Sequence, residues 1–147
     1  MRIYIGSDHG GYKLKNALEL HLKESGKFTI IDLGVFEDIP TDYPDIAREV
    51  SEKVVENNSS KGILICGSGI GVSMAANKIK GIRAALCTNE YMAEMSRKHN
   101  DANVLCMGER VISQEEAFAI TDKFFSTDFE VDEERHVRRV AKIEPKE

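Results

Sequence analysis

Two rhythms of apolar and polar residues take turns along the chain. Short runs dominated by isoleucine, valine and leucine recur at Arg2–Gly6, Phe28–Leu33, Gly62–Cys66, Ile82–Cys87 and Asn103–Met107, and each predicts a strand. The stretches between them carry apolar residues at helical spacing instead. Leu14, Ala17, Leu18 and Leu22 share one face over Gly11–Ser25, and Ile46, Val50 and Val54 do so over Asp45–Glu56. Further helices are predicted over Ser68–Lys78, opening in a glycine-rich turn, and over Asn89–Lys98. Ser113 and Glu116 have capping-box spacing at the start of a helix over Ser113–Phe125. The charged segment Val131–Ile143 predicts a terminal helix, and Phe36–Pro44 the longest connecting loop.

Strand and helix alternating in this way predict an α/β fold. The strands are short and apolar throughout, as in a mostly parallel sheet covered on both faces. Right-handed crossovers then give one doubly wound, Rossmann-like domain of about five strands, with the terminal helix as an extension. The 147 residues suit a single domain over 1–147, in which 131–147 form the helix and tail. No repeat, low-complexity stretch or linker interrupts it.

Composition narrows the function classes. Apolar residues make up 41% and charged residues 31%, an ordinary globular balance. A net charge of −5 argues against nucleic acid as a partner, because a basic face supplies most of that affinity. The exception is local: Arg135, Arg138 and Arg139 cluster with His136 in the tail. No apolar run reaches the ~18–20 residues of a membrane span. The first residues enter a strand pattern with no signal-peptide core, so cytoplasmic residence is expected. Cys66, Cys87 and Cys106 are odd in number and widely spaced, which argues against a disulfide framework. No Cys-x-x-Cys occurs and no histidine pairs with a cysteine at zinc-ligand spacing, so no dedicated metal site is expected.

Candidate chemistry follows from the fold class. Ligands of an open parallel sheet bind beyond the carboxyl ends of its strands, near the point where strand order reverses. That rule nominates Ser7–Gly11, Cys66–Gly71 and Gly108–Arg110. In a flavodoxin-like order the first and third strands flank the switch point, so Asp8-His9 and Cys66 share one crevice. Gly67, Gly69 and Gly71 alternate at a helix mouth, where converging N–H groups can hold a phosphate or a developing oxyanion. The same glycines suit a tight structural turn, and their spacing fits neither the nucleotide P-loop nor the dinucleotide fingerprint. Cys66 stands just before that helix, a setting that stabilises a thiolate; a small buried apolar residue is the competing reading. Cys87 and Cys106 read as buried. Asp8 can cap a helix, Tyr43 can pack in its loop, His99 and Asn100 can end a helix, and the tail arginines can form a solvated face.

Six segments carry a family resemblance: GSDHGG (Gly6–Gly11), TDYPD (Thr41–Asp45), ICGSGIGVSMAANK (Ile65–Lys78), GIRAA (Gly81–Ala85), SRKHNDANVL (Ser96–Leu105) and GERV (Gly108–Val111). Together they resemble the type B ribose-5-phosphate isomerases and the related galactose-6-phosphate isomerase subunits, over nearly the whole chain. The resemblance implies an aldose–ketose isomerase without metal or cofactor, interconverting ribose 5-phosphate and ribulose 5-phosphate through an enediolate. It makes Cys66 the base that moves a proton between C2 and C1. Some relatives use a glutamate four positions later, where this chain has Ile70. Gly67, Gly69 and Gly71 then supply the anion hole, and Ser68 a hydroxyl near O1 and O2. His99 becomes the acid that helps open the furanose, with Asp8 a partner for a hydroxyl. Asp8, His9, Tyr43 and Asn100 match sugar contacts; Arg110, Arg135 and Arg139 match phosphate ligands. Glu133-Glu134 departs from the glycines that relatives often carry there.

The chemistry suits these residue types. A base near neutral pH and an oxyanion hole serve proton abstraction next to a carbonyl. Histidine suits ring opening, and arginine forks suit phosphate. One feature does not fit within a single chain. His99 and Asn100 precede the fifth strand, at the amino end of the sheet, whereas Cys66 is at the carboxyl end. A strand of ~5 residues separates them by roughly 17 Å, beyond side-chain reach. A homodimer with shared sites is therefore expected, and a higher oligomer is compatible; the terminal helix would carry Arg135 and Arg139 across the interface. A six-carbon substrate (allose or galactose 6-phosphate), a non-catalytic phosphate-binding module and a thiol redox protein remain as rival readings of the same residues.

Overall fold

In the computed structural model, which describes residues 1–144, the apolar runs assemble into one parallel sheet. Residues 145–147 of the expected tail lie outside the described residues. The strands are β1 (Arg2–Ser7), β2 (Thr29–Asp32), β3 (Lys61–Cys66), β4 (Ala84–Leu86) and β5 (Val104–Gly108). The helices are α1 (Tyr12–Glu24), α2 (Tyr43–Glu56), α3 (Ile70–Ala76), α4 (Glu90–Lys98), α5 (Gln114–Ser126) and α6 (Glu134–Ala141), with a short 3-10 turn at His9–Gly11.

Alternation along the strands divides the core into two layers. Ile3, Ile5, Ile63, Ile65, Leu105 and Met107 face Leu14, Leu18 and Leu22 of α1 and Ala117, Ile120 and Phe124 of α5. Tyr4, Leu64, Cys66, Val104 and Cys106 face Val50 and Val54 of α2 and Val72 and Ala76 of α3. Most of these side chains are fully buried, and each large aliphatic one contributes roughly 1.5–3 kcal/mol. Cys66 thus ends its strand on the α2–α3 side.

Strand order is β2-β1-β3-β5-β4. β1 and β3 are neighbours, as the flavodoxin-like expectation requires, and the switch point falls between them. Beyond β3 the order departs from flavodoxin, because β5 lies inside β4. The cause is visible in burial. All five residues of β5 are buried, whereas the three of β4 are half-exposed, so the weaker strand takes the edge.

Local chemistry shifts several predicted boundaries. The third helix begins at Ile70 rather than Ser68 because Gly69 sits in the left-handed region, at φ 79°. The expected loop ends earlier than Pro44: Tyr43 and Pro44 open α2, where proline's missing N–H costs no helical bond. The strand expected over Ile82–Cys87 shrinks to Ala84–Leu86, and α6 starts only at Glu134, since Glu133 is extended. The Ser113–Glu116 capping box forms as predicted.

A buried ion pair anchors the loop that leads to α2. Lys15 is fully buried against Asp32, with the rings of Tyr12 and Phe36 at 5.9 and 5.4 Å from its Nζ. Asp32 also accepts the Gly34 N–H at 2.8 Å. Gly34 and Val35 then continue the pairing past the end of β1: the Ser7 N–H reaches the Gly34 carbonyl at 2.7 Å, and the Val35 N–H reaches the Ser7 carbonyl at 2.8 Å.

Candidate active site

Beyond the carboxyl ends of β1, β3 and β5 lies a crevice of about 550 Å³. Asp8, Tyr43, Cys66, Gly67, Ser68, Gly71 and Arg110 line it, all expected from the sequence. Ile70, Met74 and Val111 complete the wall. A larger concavity of about 640 Å³ lies beside α1 and α5, but its histidine, His21, is already stacked on Phe118 and bonded to Asp122 at 2.8 Å.

The three turns that build the crevice are packed backbone to backbone. A Cβ on Gly11 would lie 2.7 Å from the carbonyl carbon of Ile65, and one on Gly108 would lie 2.4 Å from that of Ser68. No side chain fits in either place. Hydrogen bonds lock the β3 and β5 turns together: the Glu109 N–H donates to the Cys66 carbonyl at 3.0 Å and the Arg110 N–H to the Gly67 carbonyl at 3.0 Å. Glu109, which the sequence nominates only by position, accepts the Leu14 N–H at 2.6 Å and so ties the β5 turn to α1.

Within this frame the Cys66 sulfur accepts a hydrogen bond from the Gly69 N–H at 3.1 Å. The left-handed turn at Gly69 makes that approach possible. The Ser68 hydroxyl accepts the Ile70 N–H at 3.2 Å and is held at the crevice edge. The Arg110 guanidinium lies against Gly67, whose Cβ would come within 2.9 Å of Nη1. The Tyr43 ring covers Gly71 in the same way, at 2.7 Å. Asp8 is buried; its Oδ1 caps the 3-10 turn through the Gly10 N–H at 2.9 Å, so capping and crevice placement are both true of it. His9, exposed next to Asp8, accepts the Thr41 N–H on its Nδ1 at 3.2 Å.

The other two cysteines are of a different kind. Burial pushes the Cys87 thiol up to about 11 and raises the Cys106 thiol as well. Both are free and lie outside the crevice lining. At about pH 8, iodoacetamide is expected to label Cys66 alone in the folded protein, because of the three cysteines it alone lines the crevice, and burial holds the other two thiols protonated. Peptide mass mapping checks this; labelling of Cys87 or Cys106 before unfolding would contradict it.

The remaining candidates gather elsewhere. His99 caps the end of α4, before the amino end of β5, while Cys66 pairs with the carboxyl end of β5 at Gly108. The chain returns to His99 through Glu130, whose N–H donates to the Lys98 carbonyl at 3.2 Å. The buried ring of His136 then packs 4.2 Å from that of His99. Asn100, Arg135 and Arg139 are exposed nearby in sequence, and Arg135 contacts Glu133 at 3.5 Å. One chain therefore carries two groups of candidate residues at opposite ends of its sheet. His136 and Glu130 were not singled out from the sequence as site residues, since only folding brings them to His99.

The chain as a whole is similar to known sugar-phosphate isomerases. A family described as Ribose/Galactose Isomerase matches residues 3–143. A protein of Escherichia coli named ribose-5-phosphate isomerase B is 44% identical, with 97% of this chain and 93% of that one covered. A Mycoplasma pneumoniae protein named probable ribose-5-phosphate isomerase B is 48% identical, covering 96% of this chain and 91% of its own length. Among solved structures, ribose-5-phosphate isomerase B of Clostridium thermocellum superimposes with a TM-score of 0.93 at 49% identity, over 97% of this chain and 95% of that one. The type B enzyme of Trypanosoma cruzi does so with a TM-score of 0.93 at 46% identity, over 97% and 95%.

Proposed function

The chain belongs to the ribose/galactose isomerase family, and on that footing we propose that it interconverts ribose 5-phosphate and ribulose 5-phosphate at a site shared between two copies of itself. The reaction is an intramolecular oxidation and reduction: hydrogen leaves C2 and arrives at C1, and no electrons leave the sugar. A base and an oxyanion hole account for it, so neither a cofactor nor a metal has a step in the proposal.

Each residue takes a part. The furanose opens first, with His99 giving a proton to the ring oxygen and Asp8 accepting hydrogen from the anomeric hydroxyl. Cys66, as thiolate, then takes the C2 proton and returns it to C1. The N–H groups along Gly67, Gly69 and Gly71 stabilise the enediolate, and Ser68 relays hydrogen between O1 and O2. Tyr43, His9 and Asn100 orient the sugar. Arg110 holds the phosphate together with Arg135 and Arg139 of the second copy, so that remote binding energy aligns the reacting carbons. The observation that carries this reading is the Cys66 sulfur receiving the Gly69 N–H in a crevice that also presents Arg110.

The whole chain works as one isomerase domain in a homodimer, or in a higher oligomer built from such dimers. No helix among the described residues is long and apolar enough to cross a membrane, and a soluble sugar phosphate as substrate suits a cytoplasmic enzyme.

Sharing can be tested by mixing. Cys66→Ala and His99→Ala proteins are each expected to be nearly inactive. After subunit exchange, random pairing makes half the dimers mixed, and each mixed dimer has one intact site of two. Activity should recover to about a quarter of the wild-type value. Exchange verified by mass spectrometry with no recovery would refute the shared site.

A further inference from the structure

We propose that His99, Glu130 and His136 form a binding site for a borderline-soft divalent metal ion such as Zn²⁺. One imidazole nitrogen from each histidine and one carboxylate oxygen of Glu130 lie within 4.8 Å of one another. These ligands are far apart in the sequence and come together only when the tail folds back over α4.

A second observation points to a missing partner. The His136 side chain is only 5% exposed, and its Nδ1 is a buried nitrogen without a hydrogen bond. The nearest acceptor, Glu130 Oε2, is 2.9 Å away but lies off the direction that a hydrogen bond requires. A buried nitrogen left in this state is unfavourable. A metal ion placed among the three groups uses the nitrogen's lone pair and neutralises the glutamate's charge together.

The donor set selects the ion. Two imidazoles and one carboxylate suit zinc and its neighbours in the first transition row, and leave a fourth position open. Calcium and magnesium prefer sites made of oxygen. Zinc bonds of about 2.0–2.2 Å place tetrahedral ligands roughly 3.4 Å apart, so a separation that is at most 4.8 Å here must close by no more than about 1.4 Å. Glu130 and the half-buried His99 can move by that much while His136 stays fixed.

Occupancy has a consequence that rests on the isomerase reading. A metal on either nitrogen of His99 pins the imidazole and stops it from taking up and giving back a proton freely, so the filled site slows turnover of the furanose.

The experiment starts from chelator-treated protein. Zn²⁺ uptake is measured by equilibrium dialysis, and Co²⁺ is titrated while its visible absorption is followed. The expected result is about one equivalent per chain, with the intense bands of tetrahedral cobalt. Glu130→Gln removes a ligand at a half-buried position and keeps the side chain's size, and should weaken binding at least about tenfold. His136→Asn should abolish the cobalt bands. His21→Asn, at the surface pair with Asp122, should change neither. No uptake by the wild type, or uptake unaffected by both Glu130→Gln and His136→Asn, overturns the site. Zinc should also slow ketose formation from ribose 5-phosphate in proportion to occupancy. Zinc bound at these residues with turnover unchanged leaves the site standing and overturns the ring-opening role of His99.

Discussion

Cys66→Ala is expected to lower kcat on ribose 5-phosphate by about a thousandfold or more, within the range for losing a positioned acid–base group. Binding of the substrate should change little, because the phosphate and hydroxyl contacts belong to other residues. The variant should also fail to exchange the C1 hydrogens of ribulose 5-phosphate with D₂O, since that exchange needs enediolate formation and nothing else. Stability should fall by only about 1–2 kcal/mol, because alanine leaves a small void beside Val72 and Tyr4. Initial rates, calorimetric binding and NMR exchange read these quantities separately. Full activity in Cys66→Ala would assign the base elsewhere. Ile70 occupies the position of the alternative glutamate in some relatives and offers no substitute.

His99→Asn is expected to separate two steps that Cys66→Ala loses together. Ketose formation from ribose 5-phosphate should fall by about a hundredfold, because the aldose is overwhelmingly a furanose and its opening loses an acid. Exchange at C1 of the ketose should stay within a few-fold of wild type. Ribulose 5-phosphate has its fifth oxygen esterified and cannot close the corresponding ring, so it reaches the enediolate without help from His99. If exchange and net conversion fall together, His99 acts in proton transfer or in binding rather than in ring opening.

Much of this site could be read from the sequence, for identifiable reasons. Asp8, Cys66 and Arg110 follow strands, and parallel sheets bind ligands at those ends, so placing the strands placed the residues. The separation of His99 from Cys66 was legible from the same topology, because a helix returning from one strand to the next reverses direction. The order of β4 and β5 was not legible. Both runs are apolar, and only their relative burial in three dimensions shows which one takes the edge. Nor does sequence reveal why position 108 is glycine, since the atom that excludes a side chain belongs to Ser68, far away in the chain. The same limit hid the pairing of Glu109 with Leu14 and the meeting of His99 with His136. Each is a long-range contact between side chains or turns whose local patterns are unremarkable.

The backbone bonds between the turns after β3 and β5 also bear on how such an enzyme can change its substrate. Cys66 and Arg110 sit on two turns joined by the Glu109 and Arg110 amides, with Gly108 pressed against Ser68. If Cys66 and Arg110 take the proposed roles, base and phosphate clamp stand on turns whose backbones keep a fixed spacing. A sugar one carbon longer cannot be accommodated by moving the turns apart, because doing so breaks the peptide hydrogen bonds that join them at the carboxyl end of the sheet. Adaptation has to come from the movable walls, the side chains of Tyr43, Ile70 and Met74, or from the tail that carries Arg135 and Arg139. Lineages that shift between pentose and hexose phosphates should therefore vary at those positions while the two turns stay the same.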